Sequence, residues 1–114
     1  MRIKIPPKKL REEFRLIYEL KGCQKAINFL TDYYKVKKLK IILNGRKVGN
    51  ESVACYSEKI AYFTKRSLRK LIILHELYHH IVSMKEIELP ERIEEKEANL
   101  YSLLFLEKEG TNFT

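Results

Sequence analysis

The sequence predicts an α+β fold: N-terminal helices, a small three-stranded antiparallel sheet, an apolar helix and a final acidic helix. Three observations support this fold class: two helical apolar stripes before residue 35, three β-rich runs between residues 39 and 64, and an almost continuous apolar stretch after residue 67. A length of 114 residues with 45% hydrophobic side chains fits a single domain, 1–114, with a modest core, and excludes a disordered chain.

The first two helices are predicted from spacing and from a terminator. Apolar residues recur at helical spacing over residues 10–20, after Pro6-Pro7, and stop at Gly22, a typical residue just beyond a helix end. A second apolar stripe over residues 26–34 predicts a second helix. This helix should end where the basic stretch 35–40 begins.

Three short strands are predicted at residues 39–43, 52–56 and 59–64. Asn44-Gly45 can supply the positive φ angles of a tight turn, and Gly49-Asn50 interrupts the chain again before the second strand. Short connections favour an antiparallel meander that packs on the helices through one face.

The third helix should start after Ser67, as its N-cap, and run to about Met84; because it is apolar nearly all round, it belongs in the core. Pro90 suits the first turn of a fourth helix, since its missing N–H would be unpaired there. We expect that helix to run to about Lys108, with Gly110 just beyond its end.

The net charge of +8 is unevenly distributed along the chain. Residues 1–74 carry 19 basic and 6 acidic side chains, and residues 75–114 carry 4 basic and 9 acidic ones. The lysines of the basic half are scattered, without the clustered arginine and aromatic residues of a nucleic-acid surface, so nucleic acid is not the favoured partner. Two cysteines are too few for a disulfide framework, and no segment reads as a signal peptide or membrane span, which favours a cytoplasmic protein.

Residues 75–79, His-Glu-Leu-Tyr-His, form an HExxH pattern within the apolar third helix. Residues i and i+4 share one helix face, so His75 and His79 can direct their imidazoles at one metal ion. Glu76 is angled away from this pair but can reach a nearby water, as a general base must. Two core histidines satisfied by backbone carbonyls are the open alternative. His80 lies about 100° round the helix and should be peripheral.

An open zinc site needs a third protein ligand, which the acidic fourth helix can provide. Glu95 is the expected ligand, with Glu94 next in line. Asn99, one turn beyond Glu95, could accept the ring N–H of a ligand histidine and fix its tautomer. Three glutamates of this helix are expected to face solvent instead: Glu91, Glu94 and Glu97.

The HExxH pattern followed by Glu-Lys-Glu-Ala-Asn at residues 95–99 resembles the gluzincin zinc metallopeptidases, whose second signature is Glu-x-x-Ala (or Asp) on the next helix. The length is similar to that of the minigluzincins, very short members from thermophilic prokaryotes. The resemblance covers about residues 52–106. It implies a zincin-like minimal catalytic domain with one Zn²⁺ on His75, His79 and Glu95, and with Glu76 as the general base and acid in peptide-bond hydrolysis.

The resemblance also implies where a peptide substrate binds. The strand at 59–64, with Ala61, Tyr62 and Phe63, would form the upper rim of the cleft and pair with an extended peptide through backbone hydrogen bonds. Larger gluzincins add a downstream His or Tyr that stabilises the oxyanion. No histidine follows His80, which leaves three candidates between which the sequence does not decide: Tyr62, Tyr78 and Tyr101.

Two further expectations concern regulation and an alternative function. Minigluzincins are latent, with C-terminal segments that cover the cleft within or between chains, and residues 107–114 would be that segment here, with a homodimer as one form. The alternative to a peptidase is a non-catalytic or regulatory zinc-binding domain that contacts protein or nucleic acid through its basic N-terminal half. A steep salt dependence of DNA binding would mark that alternative.

Overall fold

The computed structural model describes residues 2–43, 54–57, 59–63 and 69–110. Their elements follow one another along the chain in this order: α1 (Lys8–Lys21), α2 (Cys23–Tyr34), β1 (Lys40–Leu43), β2 (Ala54–Ser57), β3 (Ile60–Phe63), α3 (Lys70–Met84) and α4 (Glu91–Gly110). None of these helices combines the length and the hydropathy that a membrane span requires.

The two N-terminal helices form where the sequence predicts them. The Pro7 carbonyl accepts the first backbone hydrogen bond of α1, from the Leu10 N–H at 2.9 Å. Gly22 has a φ of 93° and joins the two helices, because its N–H closes α1 on the Tyr18 carbonyl and its own carbonyl accepts the first bond of α2 from Ala26. A residue with a side chain would be strained at that φ, so Gly22 acts as the predicted terminator.

The expected fold around a three-stranded antiparallel sheet is wrong. The described chain is mainly helical, and the order of its short strands is β1-β3-β2. β1 runs parallel to β3, with Ile41 opposite Ala61, whereas β2 runs antiparallel to β3, with Tyr56 opposite the same Ala61. β3 is therefore the central strand, and the predicted meander, with its second strand in the centre, does not form.

A side chain of α2 explains the position of β1. The Gln24 side chain donates from Nε2 to the Leu39 carbonyl and accepts from the Ile41 N–H, both at 2.9 Å. The neighbouring Lys40 N–H points the other way, to the Lys59 carbonyl beside β3. Gln24 thus satisfies the outer edge of β1, where another strand would otherwise have to pair.

Helices α3 and α4 complete the core. Fully buried side chains of α3 include Leu74 and Leu77, and those of α4 include Tyr101 and Phe105. The carbonyl of Pro90 accepts from the first N–H groups of α4, as its predicted place at the helix start requires.

Helix ends differ by a few residues from the predictions. α3 begins at Lys70 rather than directly after Ser67, and α4 includes Gly110. Four predicted features lie outside the described residues: the turns at Asn44-Gly45 and at Gly49-Asn50, the Ser67 cap and the end of the chain at 111–114.

We expect Phe14→Ala to lower the free energy of unfolding by about 3–5 kcal/mol, because its fully buried ring packs edge-on against Phe105 at 5.3 Å between ring centroids. Leu20→Ala is the matched control, since Leu20 lies on the same helix and is 79% exposed. Urea denaturation followed by circular dichroism measures both changes. Equal losses in the two variants would contradict the packing described.

Candidate metal centre

Two imidazoles on α3 share one helix face. The Nε2 atoms of His75 and His79 lie 3.2 Å apart, and the ring centroids lie 4.9 Å apart at a steep interplanar angle. A spacing of four residues produces this arrangement, because it returns a side chain to nearly the same side of a helix. Both rings are largely buried, with 17% and 15% of their side-chain surfaces exposed.

Glu95 of α4 reaches both imidazoles. Its Oε2 lies 3.1 Å from His75 Nε2, and its Oε1 lies 2.9 Å from His79 Nε2. The chain reverses between α3 and α4 through Glu86, whose φ is 54°, and this turn brings the start of α4 back along α3. The structure therefore brings together the three side chains that the sequence singled out as ligands.

The donor set fits a small tetrahedral cation. Metal–ligand distances of about 2.0–2.1 Å place neighbouring ligand atoms of a tetrahedron roughly 3.3–3.4 Å apart. The two imidazole Nε2 atoms lie 3.2 Å apart, each lies 2.9–3.1 Å from a different oxygen of the Glu95 carboxylate, and one ligand atom from each residue falls within 4.8 Å of the other two. Two imidazoles and one carboxylate suit a transition metal such as zinc rather than calcium, which takes six to eight oxygens.

Glu94, rather than Asn99, contacts a histidine that is predicted to be a ligand. His79 Nδ1 lies 2.5 Å from Glu94 Oε2 and donates its proton there, which leaves the Nε2 lone pair free. Asn99 is exposed, and its backbone carbonyl, not its side chain, accepts from the Ser102 hydroxyl. The role predicted for Asn99 and the solvent-facing position predicted for Glu94 are both corrected.

The relative direction of α3 and α4 explains why Glu94, rather than Asn99, reaches His79. His79 pairs with Glu94, and Tyr78, one residue earlier on α3, pairs with Glu97, further along α4. The two helices are therefore antiparallel, because a residue further along α4 lies opposite a residue earlier on α3. A residue placed after Glu95 moves away from His79 and towards the His75 end of α3, and at that position Asn99 is exposed.

Glu76 lies beside the three predicted ligands without joining them. Its Oε2 is 4.0 Å from His75 Nε2, and the residue is 8% exposed. Burial raises the pKa of the Glu76 carboxyl, while the nearby imidazoles of His75 and His79 oppose the shift. Glu76, His79 and Glu95 line the same cavity of about 520 Å³, large enough for part of a peptide.

The cavity also has a wall from β2. Tyr56 is one of its lining residues, and Val82, Ile87 and Leu89 supply apolar surface. Tyr56 was not among the tyrosines considered from the sequence. Nothing in the pattern of residues 52–56 indicated which strand packs beside α3, so the sequence held no signal for it.

Two of the three tyrosines considered as oxyanion stabilisers have hydroxyls that bond to other groups. Tyr78 is fully buried and its hydroxyl donates to Glu97 Oε1, and this hydrogen bond holds the pKa of Glu97 below its ordinary value. Tyr101 is fully buried and its hydroxyl contacts that of Tyr34 at 3.0 Å. Tyr62 lies on β3 and is not among the residues that line the cavity. Because Glu97 is buried and accepts from Tyr78, its predicted solvent-facing position is also wrong.

His80 supports the cavity wall. Its Nε2 lies 2.6 Å from the Lys37 carbonyl, which can only accept, so Nε2 carries the proton. Nδ1 is then the acceptor for the Tyr56 hydroxyl at 3.0 Å. His80 is fully buried, and burial lowers its pKa. The residue does not join the candidate centre, but it is an internal connection rather than a peripheral side chain.

The described sheet does not place β3 at an edge, where the predicted substrate rim would need it. Because β3 is the central strand, its backbone groups already pair with β1 and β2. Ala61 and Phe63 are fully buried, and Tyr62, the residue between them, is half-buried. Gln24 occupies the outer edge of β1, so β2 is the edge of the described sheet that no described element pairs.

We expect Glu94→Ala to weaken zinc binding about 10- to 100-fold, because His79 loses the acceptor that orients its ring. Asn99→Ala should leave the affinity unchanged. Competition with a chromophoric chelator measures both affinities. The assignment of the His79 partner would be contradicted if Asn99→Ala weakened binding and Glu94→Ala did not.

Comparisons with models of protein families, with curated proteins and with solved structures found no match to this chain. A gluzincin relationship therefore stays a prediction from the HExxH pattern and Glu95.

Proposed function

We propose that the protein is a zinc-dependent metallopeptidase that hydrolyses peptide bonds. One observation supports this function above others: the donor atoms of His75, His79 and Glu95 converge, while Glu76, which is not one of the three, lies 4.0 Å from His75 and lines the same cavity as His79 and Glu95. A closed structural zinc site has four protein ligands, whereas three ligands leave a position for water or substrate.

Each residue has a separate task. His75, His79 and Glu95 would hold the ion, and Glu94 keeps the His79 ring in the orientation and tautomer that ligation needs. When bound, zinc supplies a Lewis acid that lowers the pKa of water to about 7 and polarises a carbonyl. Glu76 takes a proton from the attacking water at its carboxylate and returns it to the nitrogen of the leaving amine.

The substrate class follows from the walls of the cavity. Tyr56 belongs to β2, the strand whose outer edge pairs with no described element, and Val82, Ile87 and Leu89 add apolar surface to the same cavity. An extended peptide could pair with the β2 edge and place a side chain against the apolar wall. We therefore expect unfolded protein or peptide as substrate.

We expect Glu76→Gln to lower the hydrolysis of fluorescently labelled casein about 10²- to 10⁴-fold, because the amide cannot accept the proton. Zinc content should stay at one equivalent, since Glu76 is not a ligand. The matched control is Glu91→Gln, which removes the same charge from the same cavity without touching the three ligands. Its activity should resemble that of the wild type.

Two outcomes would contradict the proposal. Glu76→Gln could retain full activity, which would exclude the carboxylate as the base. Alternatively, the wild type could bind one zinc and cleave no unfolded protein while its N-terminal half binds DNA with steep salt dependence, which would favour the regulatory domain.

Latency through the C-terminal residues is a separate part of the proposal. Residues 107–110 continue α4 as helix, and 111–114 lie outside the described residues. If the end of the chain covers the cavity, truncation after Gly110 should increase casein cleavage. Unchanged cleavage would contradict latency without affecting the assignment of the metal centre.

A further inference from the structure

We infer that Arg2, Glu97 and Tyr78 form a positioning bridge, in which the N-terminal segment holds α4 at the rotation that points Glu95 at the two imidazoles. This inference rests on the proposed metal centre, because it explains what keeps the ligands of two helices in register. None of the three residues would touch the ion.

The bridge is a chain of two hydrogen bonds through one carboxylate. The Tyr78 hydroxyl donates to Glu97 Oε1 at 2.5 Å, and Arg2 Nη1 donates to Glu97 Oε2 at 2.6 Å. Glu97 is 9% exposed and Tyr78 is fully buried. Each carboxylate oxygen therefore has one donor, and a buried carboxylate without donors would be costly.

The bridge joins the same helices as the metal centre, but on another side. Glu97 follows Glu95 by two residues, which places it about 200° further round α4. Tyr78 precedes His79 by one residue, about 100° round α3. The α3–α4 contact is therefore fixed both at the Glu95 side, by the ligands, and at the Glu97 side, by the bridge.

The geometry of a helix makes this second point of contact important. An oxygen about 6 Å from a helix axis moves by roughly 1 Å when the helix rolls by about 10°. Functional groups need to be held within about 0.5 Å of their working position. The Glu95 side chain is 51% exposed, so its surroundings restrain it little, and its position depends on how α4 is rotated.

Arg2 is held in place independently of Glu97. Ile3 is 3% exposed in the core, and the Lys4 carbonyl accepts from the Tyr34 hydroxyl at 2.7 Å. These two contacts hold the N-terminal segment in place without the Arg2–Glu97 ion pair. The Arg2 side chain itself is 52% exposed and Tyr78 still donates to Glu97 in its absence, so its loss should alter global stability little.

The test compares zinc affinities of Arg2→Gln and Lys4→Gln, measured with a chromophoric chelator. Both variants remove one positive charge from the same segment, but Lys4 has no ion pair among the described residues. We expect Arg2→Gln to weaken zinc binding about tenfold, within the range found for groups that support metal ligands. Lys4→Gln should bind as the wild type does, and Arg2→Lys, which can still donate to Glu97, should recover most of the affinity.

Thermal melting of the metal-free variants separates positioning from a purely structural role. We expect the metal-free Arg2→Gln and Lys4→Gln proteins to melt at similar temperatures, with the stabilisation by added zinc reduced only in Arg2→Gln. Tyr78→Phe removes the other end of the bridge, and combining it with Arg2→Gln should cost less affinity than the two single losses together, because both act through Glu97.

Failure of this inference differs from failure of the proposed function. If wild type binds zinc through His75, His79 and Glu95 but Arg2→Gln binds equally well, the positioning bridge is wrong and the metal centre stands. If Arg2→Gln and Lys4→Gln weaken binding equally, the effect is one of general charge, which also overturns the bridge. If the wild type binds no zinc, the proposed function itself fails.

Discussion

The packing of α3 against α4 is the contact on which the candidate site depends. Neither helix can form the centre alone, because α3 supplies His75 and His79 and α4 supplies Glu95. Two kinds of contact fix α3 against α4. Carboxylates of α4 reach imidazoles of α3 on one side, and Glu97 accepts a hydrogen bond from Tyr78 on another. Buried aromatic rings of α4 add to this contact, because Tyr101 packs against both Phe105 and Tyr78 of α3. The chemistry proposed for Glu76 needs this register, because a general base works only within hydrogen-bond reach of its water.

Local patterns were sufficient to predict the helices and the pair of imidazoles. Gly22 and Pro90 mark helix ends through backbone chemistry that needs no knowledge of the rest of the fold. The spacing of His75 and His79 places them on one face of any helix. The choice of Glu95 required only that the acidic helix fold back on α3, and the distances to both imidazoles agree with that choice.

Long-range partners could not be predicted in the same way. The outer edge of β1 is satisfied by Gln24, a residue of α2, and no pattern within the strands indicates this contact or the order β1-β3-β2. The contact of Glu94 with His79, and the exposure of Asn99, depend on the rotation of α4, which the residues of that helix do not specify. Arg2 and Glu97 lie 95 residues apart, so only the folded chain reveals that they pair.

X-ray absorption at the zinc edge, on protein loaded with one equivalent of zinc, tests the metal centre most directly. The proposed centre predicts two imidazole nitrogens together with oxygen ligands at about 2.0–2.1 Å, with the imidazole contribution lost when both His75 and His79 are replaced by alanine. A sulfur ligand at about 2.3 Å, or a spectrum that does not change in the double variant, would place the zinc elsewhere and contradict the account.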